Sequence, residues 1–170
     1  MNTPFHPSST SIAVRPATLA DIEQLSPLFD AYRRFYEKPS DLARARQYLH
    51  DRIESRESVV LLASAVAVPG QAIGFCQLYP TFCSVEMASI YALYDLFVIP
   101  AARRAGVGRA LLQVAEKLAL DSGKVRLELR TARSNLPAQA AYESLSWVQD
   151  ECFICYSKSA AANDPLSTPS

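Results

Sequence analysis

The sequence has no excess of either charge and no segment long enough to cross a membrane. Its 170 residues include 17 lysines and arginines against 17 aspartates and glutamates, so a nucleic-acid backbone or an anionic membrane surface is not an expected partner. The longest apolar run, residues 59–68, is about half a membrane span, and we interpret it as a buried strand. Residues 1–11 lack a basic cluster followed by an apolar core, so no secretory signal is expected.

Cysteines are few, and their spacing does not suggest a metal site. The four are Cys76, Cys83, Cys152 and Cys155. The last two lie in a strand-like run, where positions three apart point to opposite faces, and no second pair of cysteines or histidines has zinc-finger spacing. We therefore expect free or structural thiols, no metal, and a reducing cytoplasm as the location.

The remaining composition is that of an ordinary globular protein. Hydrophobic residues make up 49% and charged residues 20% of the chain, and the length suits one domain. We predict that domain over residues 12–158. Residues 1–11 and 159–170 lack periodicity and are rich in proline, serine and threonine, which is typical of flexible ends.

The first half of the domain is predicted to contain two helices and a hairpin. A strand is expected over residues 12–15, a helix over 18–36 with a kink or restart near Ser26 because of Pro27, and a second helix from residues 40–41 to about 54. The apolar runs 58–68 and 73–79, joined by Pro69, Gly70 and Gln71, predict an antiparallel hairpin. Residues 80–88 are interpreted as a loop.

The second half is organised around one strand and the helix after it. Residues 90–98 are apolar, aromatic and β-branched, which is typical of a strand covered on both faces, and Pro100 ends it. Residues 105–121 have the period of an amphipathic helix, closed by Gly123. Further elements are predicted at the end of the chain: a strand over 125–131, a helix over 136–145, and strands over 147–149 and 152–157. This order predicts an α/β fold with a mixed sheet.

The segment between that strand and helix, Arg-Arg-Ala-Gly-Val-Gly at residues 103–108, is a candidate anion site. Two glycines without Cβ let a charged ligand approach the main chain, and the helix adds its first unpaired N–H groups. Arg103, Arg104 and Arg109 add whole charges, so a diphosphate is the expected ligand. The P-loop and dinucleotide patterns do not fit. The alternative is a tight turn with solvated arginines.

Together with Asp-Leu-Phe-Val-Ile-Pro at residues 95–100, this loop resembles the acetyl-CoA site of the GCN5-related N-acetyltransferases, the GNAT superfamily. The family signature is Arg/Gln-x-x-Gly-x-Gly/Ala after an Asp-Leu-x-Val-x-Pro strand. The resemblance covers residues 12–158 and implies a single domain with a mixed, mostly antiparallel sheet flanked by helices. It also implies a bulge in the central strand and acetyl-CoA as acyl donor. The implied cofactor residues are Leu96, Phe97 and Val98 through their main chain, with Arg103, Arg104, Ala105, Gly106, Val107, Gly108, Arg109, Asn135, Ala138 and Tyr142.

A second family motif, Asn-x-x-Ala-x-x-x-Tyr, is present at Asn135, Ala138 and Tyr142. The resemblance implies that Asn135 meets the cofactor and that Tyr142 protonates the departing thiolate. A phenol has a suitable proton, because its ordinary pKa of about 10 is comparable to that of the leaving thiol. The alternatives are helix capping for Asn135 and helix packing for Tyr142.

An amine acceptor is almost wholly protonated at pH 7, so acetyl transfer needs a proton acceptor. Glu86 and Asp95 are the carboxylates nearest the predicted cleft. Within the family, the chain resembles the diamine and thialysine acetyltransferases most, and those carry Glu-Asp where this chain has Tyr94-Asp95. Strand alternation predicts that Tyr94 and Asp95 face opposite sides, so Asp95 is interpreted as a substrate or structural carboxylate. The predicted substrate residues are Tyr32, Tyr36, Tyr79, Tyr94 and Asp95, with helix packing as the alternative for Tyr32 and Tyr36.

The resemblance implies an N-acetyltransferase that acts on a small primary amine, either a polyamine or a lysine-like compound, by direct attack. Protein lysines, N-terminal amines and aminoglycosides are alternative acceptors. Tyr94, at the usual glutamate position, motivates a further alternative, a CoA-binding sensor module without catalysis. Homodimers are common in the subgroup.

Overall fold

The computed structural model describes residues 11–67 and 70–160, which fall into two compact units, residues 1–130 and 131–170. Most of the two predicted flexible ends, residues 1–10 and 161–170, lies outside the described residues, as do Val68 and Pro69 of the predicted hairpin.

Five strands form one sheet in the first unit. They are β1 (Ile12–Pro16), β2 (Val59–Ala65), β3 (Ala72–Cys83), β4 (Ala88–Val98) and β5 (Leu127–Leu129), and they lie side by side in this order. The first four pair antiparallel, and β5 pairs with β4 in parallel. The predicted α/β fold with a mixed, mostly antiparallel sheet is confirmed.

Helix α1 spans Ile22–Phe35 without the restart predicted near Pro27. A short 3₁₀ turn, Leu19–Asp21, leads into it, and the Thr18 N–H donates to the Asp21 carboxylate at 2.8 Å. Pro27 removes a single N–H donor, whereas Leu25, Leu28 and Phe29 bury the apolar side of the helix. Burial of that side therefore outweighs the lost hydrogen bond.

Helices α2 (Leu42–Glu54) and α3 (Val107–Asp121) complete the first unit, and α4 (Leu136–Glu143) belongs to the second. The Asp41 side chain caps α2 by accepting the Arg44 N–H at 3.0 Å. Gly123, just after α3, has a φ of 66°, as predicted for a residue that closes a helix.

The sheet lies between two layers of helix. Phe75 of β3 packs in a core cluster with Leu25, Phe29 and Leu49 from α1 and α2. The preceding residue, Gly74, faces α3, since a Cβ there would lie 3.3 Å from Val107 Cγ1. Because successive strand residues face opposite sides, α1 and α2 cover one face and α3 covers the other.

The loop predicted over residues 80–88 is wrong, because β3 continues through Pro80 to Cys83 and only residues 84–87 form the turn. The Tyr91 N–H opposite Pro80 donates to Arg126 O, away from β3, so Pro80 and Tyr91 form a non-hydrogen-bonded pair. The nitrogen of Pro80, which has no hydrogen to donate, therefore faces the β2 side of β3. Pairing with β2 has already ended at Leu78, so Pro80 interrupts no ladder hydrogen bond there.

The last two predicted strands, over 147–149 and 152–157, are also wrong, since residues 144–160 contain no strand. The Asp150 carboxylate accepts the N–H groups of Cys152 at 2.8 Å and Phe153 at 3.0 Å, a local turn that competes with an extended strand. Phe153, Ile154 and Tyr156 of this segment are exposed.

Candidate functional site

A β-bulge interrupts the centre of β4. Asp95 lies opposite Gln77 and Leu93 lies opposite Leu78, so Tyr94 is an extra residue with no partner on β3. The bulge implied by the family resemblance is therefore present, and it is located at Tyr94.

The bulge places Tyr94 and Asp95 on the same face of the sheet, which corrects the prediction from strand alternation. The Tyr94 ring lies 5.4 Å from that of Tyr79, and Tyr79 shares a strand face with Gln77, which is opposite Asp95. The Tyr32 hydroxyl donates to the Tyr94 carbonyl at 3.3 Å and also hydrogen-bonds Asp95. Alternation failed here because the inserted residue shifts the pattern by one position.

The main chain of Phe97 is directed at β3. The Ile99 N–H donates to Ile73 O at 3.0 Å, which makes Ile99 and Ile73 a hydrogen-bonded pair. Since hydrogen-bonded pairs alternate along an antiparallel ladder, Phe97 and Phe75 form the next one. Phe97 therefore contributes its buried ring to the site rather than the main-chain groups that the resemblance implies.

Leu96 and Val98 direct their N–H and C=O groups to the other side of β4. Pairing with β5 extends only from Tyr91 to Leu93, so this edge of β4 has no strand partner among the described residues after the bulge. The Val98 carbonyl accepts a hydrogen bond from Arg103 Nε at 3.1 Å. The edge therefore offers main-chain hydrogen-bonding groups to an extended ligand.

The loop between β4 and α3 presents a set of N–H groups. Arg104 has a φ of 62° and Gly106 a φ of 84°, both in the left-handed region, and backbone of this kind forms anion-binding concavities. The first intrahelical bond of α3 runs from Ala110 N to Gly106 O. The N–H groups ahead of that bond, on Val107, Gly108 and Arg109, are therefore free of the helical ladder.

The open edge of β4 and the start of α3 lie side by side. A Cβ built on Gly108 would lie 4.0 Å from Val98 Cγ2. A ligand with a linear arm and a charged end group is able to contact both elements at once. The predicted residues from Arg103 to Arg109 lie on this loop and the first turn of α3, although the Arg103 side chain is turned back toward β4.

Asp95 is a partly buried carboxylate without a cationic partner. It forms no ion pair with any residue in the ranges 11–67 and 70–160. Burial raises the pKa of Asp95 to about 6, against the opposing effect of the hydrogen bond from Tyr32. A carboxyl group of this kind exchanges a proton near physiological pH, which is what an acid–base group requires.

Tyr79 stays neutral beside it. Burial, followed by the hydrogen bond with Tyr48, raises the pKa of Tyr79 above its ordinary value, and the Tyr48 and Tyr79 hydroxyl oxygens lie 2.5 Å apart. Tyr48 was missed in the sequence analysis. The signal was its position, because it shares the apolar side of α2 with Ala45 and Leu49 at helical spacing.

The predicted aromatic substrate residues are brought together around Asp95. Tyr32 lies 5.1 Å from Tyr36 between ring centroids, and its hydroxyl reaches the bulge, where Tyr94 contacts Tyr79. Tyr36 is 43% exposed and Tyr94 61% exposed. The site therefore has rings open to solvent on both sides of the carboxylate.

Glu86, the other predicted proton acceptor, is not part of this group. It lies in the turn before β4, and Arg126 Nη1 donates to its carboxylate at 2.6 Å. The seven residues of β4 from Ala88 to Tyr94 extend about 20 Å. The structure therefore brings Asp95 into the candidate site and leaves Glu86 outside it.

The second unit carries the Asn-x-x-Ala-x-x-x-Tyr motif. Asn135 precedes α4, and its carbonyl accepts the Ala138 N–H at 3.1 Å, but its side chain makes no capping hydrogen bond. Tyr142 lies two turns further along the helix, and its ring centroid is 6.0 Å from that of Trp147. The roles of Asn135, Ala138 and Tyr142 in cofactor binding and catalysis stay predictions.

Three other features bear on the sequence analysis. The four cysteines are free thiols, and burial raises the pKa of Cys76 to about 12. On α2, the potential ligand atoms of His50, Asp51 and Glu54 lie within 4.8 Å of one another, with His50 Nδ1 3.6 Å from Asp51 Oδ1 and 3.5 Å from Glu54 Oε2. None of the described helices has the length and apolar character needed to span a membrane.

Comparison with known proteins identifies the family. The model of the Acetyltransferase (GNAT) family matches residues 25–147. The chain is 43% identical to the uncharacterized N-acetyltransferase YhfO of Bacillus subtilis over 143 residues, which is 84% of this chain and 94% of that protein. It is 31% identical to the aminoglycoside N(6')-acetyltransferase type 1 of Klebsiella aerogenes over 108 residues, 61% of this chain and 68% of that enzyme.

The fold agrees with these matches. A crystal structure of a probable acetyltransferase superposes with a TM-score of 0.82 at 36% identity, covering 89% of this chain and 99% of that one. GNAT enzymes use acetyl-CoA as cosubstrate. The chain belongs to the GNAT family and is an N-acetyltransferase.

Proposed function

We propose that this enzyme transfers an acetyl group from acetyl-CoA to a small primary amine that binds against Asp95. The observation that carries the proposal is a partly buried carboxylate with a raised pKa, which forms no ion pair among the described residues and lies beside aromatic rings at the bulge of β4. An ammonium group is its natural partner, since it restores the charge balance lost on burial.

Acetyl-CoA supplies the activated acyl group, and two features of the first unit support its binding. The N–H groups at the start of α3, with Arg104 and Arg109, suit the diphosphate. Leu96 and Val98 suit the amides of the pantetheine arm, which would extend along the open edge of β4 like an added strand. Arg103 would release the Val98 carbonyl to allow this contact.

Asp95 is the proposed proton acceptor. Above its pKa of about 6 it is a carboxylate and takes the proton of the bound ammonium. Transfer from a free alkylamine is uphill by about four pKa units, or about 6 kcal/mol, and the apolar rings reduce that gap because they also lower the pKa of the amine. The chemical step needs no covalent bond to the protein.

The freed lone pair attacks the thioester carbonyl carbon, the new C–N bond forms, the C–S bond breaks, and the nitrogen loses its second proton through water to the tyrosinate that is left when Tyr142 protonates the thiolate. We propose that the backbone N–H of Val98 polarises the carbonyl and that Tyr142 gives its proton to the leaving sulfur. The support for Tyr142 is its position in the family motif. Holding the amine beside the thioester supplies much of the acceleration.

The bulge also bears on the proposed relation to the diamine and thialysine acetyltransferases. This chain has Tyr94 where those enzymes have glutamate, but Asp95 faces the same side as position 94. Asp95 is therefore able to take the role of the missing carboxylate.

We also propose a cytoplasmic location, supported by the four free thiols, and a homodimer, which the subgroup resemblance suggests.

Two other functions have specific support. The aminoglycoside N(6')-acetyltransferase relative favours an aminoglycoside acceptor. The aromatic residue at position 94 favours a CoA-binding sensor without turnover.

A panel of primary amines tests the proposal. Purified protein is mixed with acetyl-CoA and each amine, and release of free thiol is followed. We expect acceptor-dependent release that Asp95→Asn reduces at least about 100-fold. Glu86→Gln, which removes a carboxylate outside the site, is the matched control and should retain the rate. Binding of acetyl-CoA without release for any amine would support the sensor and contradict the proposal.

A further inference from the structure

We infer that the preferred acceptor carries a single positive charge on an apolar or aromatic body, so that polyamines and aminoglycosides are poor substrates. This inference rests on the proposed function, because it concerns the amine that binds at Asp95. It follows from three features of the first unit: the rings around the carboxylate, the state of the neighbouring carboxylates, and the position of two arginines.

The rings around Asp95 offer an apolar surface open to solvent. Tyr94 on β4 is 61% exposed, and Phe35 at the end of α1 is 55% exposed. Phe35 contacts Tyr36 at 5.2 Å between centroids, and Tyr36 contacts Tyr32, the residue whose hydroxyl reaches Asp95. Exposed apolar surface beside one buried polar group is typical of a pocket for a small ligand with an apolar body.

The carboxylates near this face on α1 and α2 are mostly engaged. Asp30 of α1 accepts from Ser40 Oγ at 2.7 Å and from the Asp41 N–H at 2.8 Å. Asp41 itself caps α2, and Glu57, after α2, pairs with Arg52 at 2.7 Å. Glu37, just after α1, is exposed, and water screens its attraction for a second ammonium group. Asp95 is therefore the partly buried carboxylate that remains available to an acceptor among the described residues of this face.

Two guanidinium groups lie over the rings instead. Arg103 lies 5.9 Å from the Phe97 centroid and 5.8 Å from that of Phe35, and Phe97 is two residues from Asp95 on the same strand face. Arg52 lies 5.5 Å from the Tyr48 centroid. The pairing of Arg52 with Glu57 offsets its charge, so a second positive charge on the acceptor would meet mainly that of Arg103. Repulsion of this kind discriminates between ligands that otherwise share a body.

The test uses two pairs of amines matched in body and differing in charge. Hexylamine is compared with 1,6-diaminohexane, and 2-phenylethylamine with 4-(2-aminoethyl)benzylamine; kanamycin is added as a polycation. We expect kcat/KM for each monoamine to exceed that of its diamine by about tenfold or more. We also expect 2-phenylethylamine to exceed hexylamine.

The outcomes separate this inference from the proposed function. Equal or higher kcat/KM for the diamines or kanamycin would overturn the inference and leave amine acetylation standing. Absence of turnover with every amine would overturn both. Tyr94→Ala should raise KM for 2-phenylethylamine several-fold and leave acetyl-CoA affinity unchanged. The control is Phe82→Ala, which removes an exposed ring near the β3–β4 turn and should leave both quantities unchanged. An unchanged KM in Tyr94→Ala would contradict the aromatic contact.

Discussion

Asp21 and Asp95 are two aspartates of the first unit in opposite electrostatic settings. Arg15 contacts both oxygens of Asp21, at 2.6 and 2.9 Å, and the Thr18 N–H adds a third hydrogen bond. These contacts, that from Arg15 first, hold the pKa of Asp21 well below its usual range. Asp95 has no ion-pair partner in the part of the chain that the structure describes, and burial raises its pKa. A carboxylate that is partnered stabilises the fold, whereas one that is left unpartnered retains affinity for a proton and a cation.

The two groups should also affect stability with opposite sign. The depressed pKa of Asp21 means that its contribution is present above about pH 4, the unfolded value, and is lost as the pH falls. The raised pKa of Asp95 means the reverse, since its contribution is most favourable below about pH 4 and is lost as the pH rises through about 6. At neutral pH the ionised Asp95 therefore opposes folding.

Asp95→Asn should give the largest effect, because it removes the functional carboxylate of the two aspartates. Turnover should fall by about 10²- to 10⁴-fold, the usual contribution of an acid–base group. Because the amide carries no charge, the free energy of unfolding should rise by about 1–2 kcal/mol at pH 7.5 and stay unchanged at pH 4. Urea denaturation at the two pH values, combined with initial rates, measures both. Loss of stability at pH 7.5 would show that Asp95 is a structural group.

Gly106→Ala separates cofactor binding from the roles of Asp21 and Asp95, because it changes the loop before α3 and leaves both carboxylates in place. The left-handed φ of 84° costs an L-residue about 1–2 kcal/mol, so the loop should relax and acetyl-CoA affinity should fall about tenfold. Isothermal titration calorimetry measures the affinity. Gly123→Ala is the matched control, since Gly123 has a φ of 66° at the other end of α3. Equal loss of affinity in the two variants would rule out a specific role for the loop.

Asp21→Asn should have the smallest effect and act on stability alone. The amide cannot form the bidentate ion pair, and we expect the free energy of unfolding to fall by about 1 kcal/mol at pH 7, because Arg15 is itself largely exposed. The cost should shrink as the pH falls below about 4 and disappear only below the depressed pKa of the folded carboxyl. Thermal denaturation across this range measures it, with turnover per folded molecule as the second readout. A changed turnover would contradict the division of roles.

Much of the first unit follows from local sequence patterns. Asp41 before an apolar helical period, and two glycines between a strand and a helix, specify local geometry directly, and the structure has α2 and the start of α3 close to where these residues predict them. The continuation of β3 through Pro80 does not follow from local pattern, because it depends on where the neighbouring β2 ends. Phe153 and its neighbours show the same limit, since a strand pattern forms a strand only beside a partner.

The candidate site was predictable in its residues but not in its geometry. Tyr32, Tyr79, Tyr94 and Asp95 were expected to line it, and the structure brings them together. The sheet face on which Asp95 lies depends on the one extra residue, Tyr94, in the pairing of β3 with β4. The sequence of one strand does not reveal its register with a neighbour, so this face could not be predicted. The pKa of Asp95 depends in turn on burial by α1, which is a tertiary property.

The most direct test of the central claim is the pH dependence of kcat/KM for the acceptor at saturating acetyl-CoA, measured for the wild type and for Asp95→Asn. Below about pH 6 Asp95 of the free enzyme is protonated and is unable to accept the proton of the amine. We predict that wild-type kcat/KM rises with pH through an inflection near 6 and then levels off, and that the residual kcat/KM of Asp95→Asn lacks this inflection. The same inflection in both proteins would contradict the assignment of Asp95 as the proton acceptor.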